Sequence, residues 1–215
     1  MSGRTRRRDE QVSATREALL TAAERLFAER GMHAVGNRQI SEAAGQGNNA
    51  AVSYHFGAKT DLVRAIARRH AEQIEVIRAR MTARIAGSTD LRDWVACLVR
   101  PFTGHLDALG GPTWYARFTA QVMADPALRA IMVDEALVAA PVLRSFRDGL
   151  AGALAGLPPR VRRERVLMAR HLVTQMCAER ERALAAHAPT FHPTWDATAD
   201  SLVEVIVALC EAPVR

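Results

Sequence analysis

Apolar residues recur along this chain at intervals of three and four, the spacing of one helix face, and nowhere alternate with polar ones over a useful length. That periodicity predicts an all-α fold. Leu19, Ala22, Ala23, Leu26 and Phe27 form the first stripe, on a helix expected over residues 14–30, with Ser13 as its N-cap and Gly31 as its C-cap. A short helix is expected at 38–44, with Ile40, Ala43 and Ala44 facing inward, and Gly45 stops it. Gln46 and Gly47 make a turn, and a second short helix at 49–56 ends at Gly57. At about 100° per residue, Val52 and Phe56 point to one side of that helix, toward a core shared with Leu26, Phe27 and Ile40. Three short helices bury little, so this unit needs support from the next helix. That helix is expected over 59–85, roughly 40 Å at 1.5 Å per residue. It carries Leu62, Ile66, Ile74, Ile77 and Met81, with Arg64, Arg68, Arg69, Arg78, Arg80 and Arg84 between them.

Gly87-Ser88-Thr89 closes this helix and marks a boundary. Beyond it the residues are helix formers broken by Gly and Pro. Helices are expected at 91–109, 113–124, 127–139, 142–154, 160–186 and 195–210. The breaks fall at Gly110-Gly111-Pro112, Asp125-Pro126, Pro141, 156–159 and 188–193. The expected division is a head over 1–57 with an arm at 1–12, a connecting helix over 58–86, and a C-terminal domain over 87–215.

Charge sharpens this division. Residues 1–86 carry 15 Lys+Arg against 9 Asp+Glu, while 87–215 carry 14 of each, so the whole net charge of +6 sits in the first part. A basic module joined to a neutral one implies a polyanionic partner for the first. Arg4, Arg6, Arg7 and Arg8 of the arm either follow phosphates or a minor groove, or belong to a solvated disordered tail. No apolar run is long enough to span a membrane, and none follows the basic N-terminus as a secretory signal would require. A cytoplasmic protein without membrane partners is expected. The three cysteines, Cys97, Cys177 and Cys210, are scattered. They read as buried thiols in a reducing compartment, with a redox-sensing thiol as the alternative.

Two short helices joined by a Gly-bearing turn make a helix-turn-helix. The outer face of the second presents Asn49, Ala50, Ser53 and Tyr54. Asn pairs with an adenine edge, Ala touches a thymine methyl, Ser reaches base or phosphate, and Tyr reaches phosphate. Arg38, Gln39, Asn48, His55 and Lys59 are candidates for positioning contacts. Lys59 stands at the start of the long helix, where it and the helix amides can share one phosphate.

The run AGQGNNAAVSYHFGAKTDL at residues 44–62 resembles the recognition segment of the TetR family of bacterial transcription regulators. It has the Ala-Gly pair, the triplet Tyr54-His55-Phe56, and a lysine, Lys59, just before the next helix. ATREALLTAAERLFAERG at 14–31 resembles that family's first helix. The resemblance implies a three-helix DNA-binding head followed by a helical effector-binding and dimerisation domain. It also implies that the last two long helices pair with those of a second subunit. Val166, Leu167, Arg170, Val173, Thr174 and Cys177 lie along the first of them, and Leu202, Val205, Ile206 and Leu209 along the second. Two heads on a two-fold axis require an inverted-repeat operator in double-stranded DNA.

Trp94, Phe102, His105, Trp114, Tyr115 and Phe118 gather in the early helices of the C-terminal domain, with Met123 and Met132. Helical proteins bind apolar ligands between helices, a few polar groups fixing orientation. His105, Tyr115, Gln121 or His171 would supply those groups, for an apolar or aromatic effector. Catalytic constellations, phosphate loops and cofactor motifs are missing from the sequence. His187 and His192 lack a third ligand, so neither metal nor cofactor is expected. The expected function is a ligand-responsive homodimeric repressor. The alternatives are an activator of the same fold, or a helical small-molecule-binding protein or enzyme without DNA function.

Overall fold

The computed structural model describes the backbone over residues 2–139 and 142–214, and side chains over 6–135 and 144–214. The break expected at Pro141 lies outside the described residues. Every regular element among them is a helix: α1 (Ser2–Arg30), α2 (Asn37–Ala43), α3 (Ala51–Phe56), α4 (Lys59–Arg84), α5 (Leu91–Leu109), α6 (Tyr115–Ala124), α7 (Pro126–Ala139), α8 (Val142–Ala153), α9 (Pro159–Ala185) and α10 (Trp195–Glu211). The expected C-terminal helices match these within two residues at either end. No helix among the described residues is long and apolar enough to cross a membrane.

The expected arm is corrected. Helix α1 begins at Ser2, and Ser13 lies inside it rather than capping it. Arg, Gln and Glu are good helix formers, and an exposed Arg6–Glu10 pair at 3.3 Å adds i,i+4 support. The apolar stripe of α1 is buried as expected, with Leu19, Ala23 and Phe27 at 0 % exposure. In α2, Ile40 is buried and Ala44 partly so, but Ala43 faces solvent and Ser41 takes the inward position. Ile40, Val52 and Phe56 close on Leu26 and Phe27, and Leu62, Val63 and Ile66 of α4 complete the head core. The Arg16 guanidinium stands 4.6 Å from the centre of the Phe56 ring and adds a cation–π tie between α1 and α3.

Helix α4 then crosses into the second half, where it packs against α5, α7 and α8. Helix α5 packs on α10, α6 on α9, and α9 on α10. The apolar stripe expected on α4 is only partly right. Ile77 and Met81 are half-buried, while His70, Glu75 and Arg78 are inside. Glu135 of α7, 3 % exposed, accepts from Arg68 Nε at 2.8 Å and Arg64 at 3.2 Å, which joins α7 to α4. All three cysteines are buried and free, and burial pushes the Cys177 thiol up to about 12. Such thiols are inert at neutral pH.

Head and body meet along two lines of contact. Phe27 of α1 stacks on Phe118 of α6, ring centres 6.3 Å apart. Beside it runs a buried polar chain from α1 through α4 to α5. Glu24 Oε2 lies 2.8 Å from His70 Nε2, and His70 Nδ1 lies 2.7 Å from His105 Nε2. Arg69 also donates to Glu24, and Tyr115 stacks on His70 at 3.7 Å. Burial first, and His70 second, push the His105 pKa down to about 4.

Two outcomes follow from this packing. A Cβ placed on Gly149 of α8 would stand 2.1 Å from the Trp94 ring, whose Nε1 donates to Ser88 O at 2.9 Å. Gly149→Ala is therefore expected to cost about 1–3 kcal/mol by forcing the ring aside, measured by urea unfolding; a neutral result would contradict the packing. For His105, the folded-state pKa lies below the unfolded 6.5. Between those values the unfolded chain binds the extra proton, so this contribution is whole above pH 6.5 and is lost as pH falls toward 4. His105→Asn should flatten the parent's loss of thermal stability across that window.

Candidate nucleic-acid interface and effector cavities

The turn between α2 and α3 decides which of the candidate contact residues lie on α3. Gly45 adopts φ +68°, which turns the chain after α2. Asn48 Oδ1 then accepts from Ala50 N–H at 2.9 Å, and Asn48 O from Ala51 N–H at 3.0 Å. That side-chain turn competes with helix, so α3 begins at Ala51 and not at 49. Asn49 and Ala50 therefore precede the recognition helix instead of lying on its first turn; both are exposed. Tyr54 projects from α3 at 79 % exposure, its ring edge-on to His55 at 5.0 Å.

The other sequence candidates are partly committed within the protein. Ser53 Oγ accepts from Asn37 Nδ2 at 3.3 Å, a link between α2 and α3 that residue spacing does not reveal. Gln39 Oε1 accepts from Gly36 N–H at 2.8 Å and caps α2. Arg38 donates to Glu42 at 2.7 Å across one exposed turn. His55 is half-buried against Phe56. Lys59, the only lysine in the chain, donates to Met32 O at 2.7 Å and lies 5.7 Å from the Phe27 ring centre. Burial there lowers its pKa below the usual lysine value. Its first task is thus to tie the start of α4 to the end of α1, with two N–H groups left over. Arg6, Arg7 and Arg8 are exposed on the N-terminal turns of α1.

The aromatic candidates separate into different places. Trp94 and Phe118 are core, Trp94 under α8 and Phe118 at the head–body joint. Gln121 lines a surface groove beside Arg30 and His33, away from the aromatic cluster, and His171 is exposed on α9; their sequence spacing gave helix but not which face. His105 and Trp114 line a cavity of about 400 Å³ that opens between head and body, with Glu24, Arg69, His70 and Gln73. Trp114 also borders a groove of about 700 Å³ beside Glu181. Glu181 itself is spent, accepting from the backbone N–H groups of Ala116 and Arg117 at the start of α6. Phe102 and Tyr115 line a separate cavity of about 220 Å³ with Glu75, Arg78 and Thr119. Nothing in the sequence pattern marked these three polar residues as binding candidates. The available signal was register: His70 and Arg78 continue the four-residue spacing of Leu62, Ile66 and Ile74.

On the far side, α9 leaves Leu167, Met168 and Leu184 more than 40 % exposed, and α10 leaves Val205 51 % exposed. The residues expected along these helices split between two faces. Val173, Thr174, Cys177, Leu202 and Ile206 pack inside the subunit, Leu209 and Arg170 are half-buried, and Val166, Leu167 and Val205 face out. Arg165 donates to Cys210 O and Ala212 O, both at 2.5 Å, and holds the end of α10 against α9.

Comparison with known proteins agrees with this architecture. Residues 19–66 match the family described as bacterial regulatory proteins, tetR family, and residues 96–208 match the tetracyclin repressor-like C-terminal domain. No curated protein matches the chain. Among solved structures, the fatty acid degradation regulator FadR from Bacillus halodurans is similar with a TM-score of 0.60 at 15% identity, over 94% of this chain and 97% of that one. A protein described as a putative TetR-family transcriptional regulator from Rhodococcus sp. gives 0.52 at 15% identity, over 93% and 100%. At such identity these two share the fold. With both family descriptions covering most of its length, and a helix-turn-helix head joined by α4 to a helical body, this chain belongs to the TetR family of bacterial transcription regulators.

Proposed function

We propose that the protein is a homodimeric repressor that binds an inverted-repeat operator and leaves it when a small apolar or aromatic molecule occupies its C-terminal half. The observation that carries this reading is the unbroken path of α4. It starts at Lys59, beneath the recognition helix, and supplies Glu75 and Arg78 to the wall of the cavity beside Tyr115. A ligand that prefers one tilt of α4 also prefers one placement of the head. Differential affinity of that kind is what effector control requires.

Asn49, Ala50 and Tyr54 would read or brace the DNA, with Ser53 sharing its hydroxyl between Asn37 and a base or phosphate. Arg38, Gln39, Asn48, His55 and Lys59 would position the head on the backbone. One head reaches too few base pairs to be selective, so two are needed at fixed spacing. The outward apolar residues of α9 and α10 form a face suited to an isologous partner.

Selection of bound sequences from random duplexes tests the whole reading, with enrichment of an inverted repeat as the expected result. Asn49→Ala should change base preference, at about 1–3 kcal/mol for the affected position. Lys59→Ala should weaken binding to all sequences alike and lower the salt slope by about one. Both variants selecting the parent's sites with the parent's slope would refute the assignment of these residues. The double variant Leu167→Arg, Val205→Arg is expected to sediment as a monomer and to lose operator affinity. A dimer of unchanged stability would place the interface elsewhere.

A further inference from the structure

We infer that the cavity between α4, α5, α6 and α7 takes a small uncharged molecule with an apolar body and a single hydroxyl, such as an alcohol or a phenol. This deepens the effector reading above and rests on it for the consequence of binding. The cavity measures about 220 Å³, below the roughly 300–1,000 Å³ of sites for drug-sized ligands. One ring or a short branched chain fills it. Phe102, Met132 and the ring of Tyr115 supply much of its apolar wall, with the Tyr115 hydroxyl next to Thr119.

Its polar end is built from three buried side chains. Glu75 is 6 % exposed, Arg78 8 % and Thr119 7 %. Arg78 gives Glu75 one N–H, shared between the two carboxylate oxygens at 3.0 and 3.1 Å. Another arm of the guanidinium goes to Cys97 O, and the group stands 5.0 Å from the centre of the Phe146 ring. Among the described residues no other donor reaches Glu75. A carboxylate accepts at about four lone-pair sites, so Glu75 keeps acceptor capacity that the protein does not use. Thr119 Oγ1 is buried with no partner that meets hydrogen-bond geometry, and the Tyr115 hydroxyl lies beside it.

Charge selects among possible ligands. An ammonium drawn to Glu75 would sit close to Arg78, and a carboxylate drawn to Arg78 would sit close to Glu75. The pair is neutral overall, so neither ion gains what its desolvation costs. A hydroxyl gives its proton to Glu75, which has acceptor capacity to spare, and takes one from Thr119, without adding charge.

Isothermal titration of the full-length protein with four matched probes tests this. The probes are para-ethylphenol, para-ethyltoluene, para-ethylbenzoate and para-ethylbenzylamine. The phenol is expected to bind, and the other three to bind roughly ten-fold more weakly or less. Thr119→Val keeps the side-chain shape and should lower phenol affinity about ten-fold while leaving the hydrocarbon unchanged, whereas Thr119→Ser should restore the phenol. Equal or tighter binding of either ion, parent-like phenol binding by Thr119→Val, or no binding by any probe overturns the inference. Fluorescence anisotropy on the selected operator separates this from the effector reading. Phenol that binds without releasing DNA supports the ligand class and overturns the control role of the cavity. Release of DNA by an ionic probe, with no phenol binding, overturns the ligand class and supports the control role.

Discussion

Phe27 lies where the two halves of the molecule meet, fully buried, with Phe118 of α6 on one side and the ammonium of Lys59 near its ring. The reading head depends on this joint. Helices α2 and α3 are seven and six residues long, too short to persist in water without tertiary packing. Their apolar residues gain a core only because α1 brings Leu26 and Phe27 and α4 brings Leu62, Val63 and Ile66. A head that borrows its core from α4 cannot ignore a shift of α4. In the function proposed above, the energetic need for support is also the mechanical route for a signal.

Helix α4 carries a second burden. Beyond Ala67 its inward positions mix apolar Ala71 and Ile74 with His70, Glu75 and Arg78, where apolar residues would be the cheaper choice. Each of these three is partnered: His70 by Glu24 and His105, Glu75 and Arg78 by one another. Buried charge of this kind contributes little net stability compared with a well-packed apolar substitute. It does define where a helix must sit, because a displaced His70 or Arg78 leaves buried groups unpaired. Tyr115 stacks on His70 and also lines the smaller cavity, so an occupant of that cavity touches the chain that runs to Glu24 in the head.

Much of the helical plan was legible in the sequence, since a repeat of three and four residues is a property of local order. Helix α5 falls where the pattern put it, and Gly31, Gly45 and Gly57 stand at the helix ends with positive φ. The molecule departs from that plan at two places in the head. The N-terminal arginines suggest a solvated arm by their charge, yet their helix propensity extends α1 to Ser2. The recognition helix lacks the first residues that the pattern assigned to it, because Asn48 offers the backbone a side-chain turn. Among the candidate contacts, Gln39 and Lys59 have partners inside the protein. Spacing says which residues share a face, but not which neighbour that face will meet.

The sequence by itself determined an all-helical chain with a basic helix-turn-helix head and a neutral body, because periodicity, glycine positions and charge are written residue by residue. Tertiary structure decided the rest. Trp94 and Phe118 became core and Phe102 and Tyr115 cavity wall, although all four looked alike in the chain. The polar groups that give that cavity its character, Glu75 and Thr119, come from different helices and acquire unmet hydrogen-bonding capacity only when packing removes water from them. Desolvation of that kind depends on what surrounds a side chain in space, and no linear pattern records it.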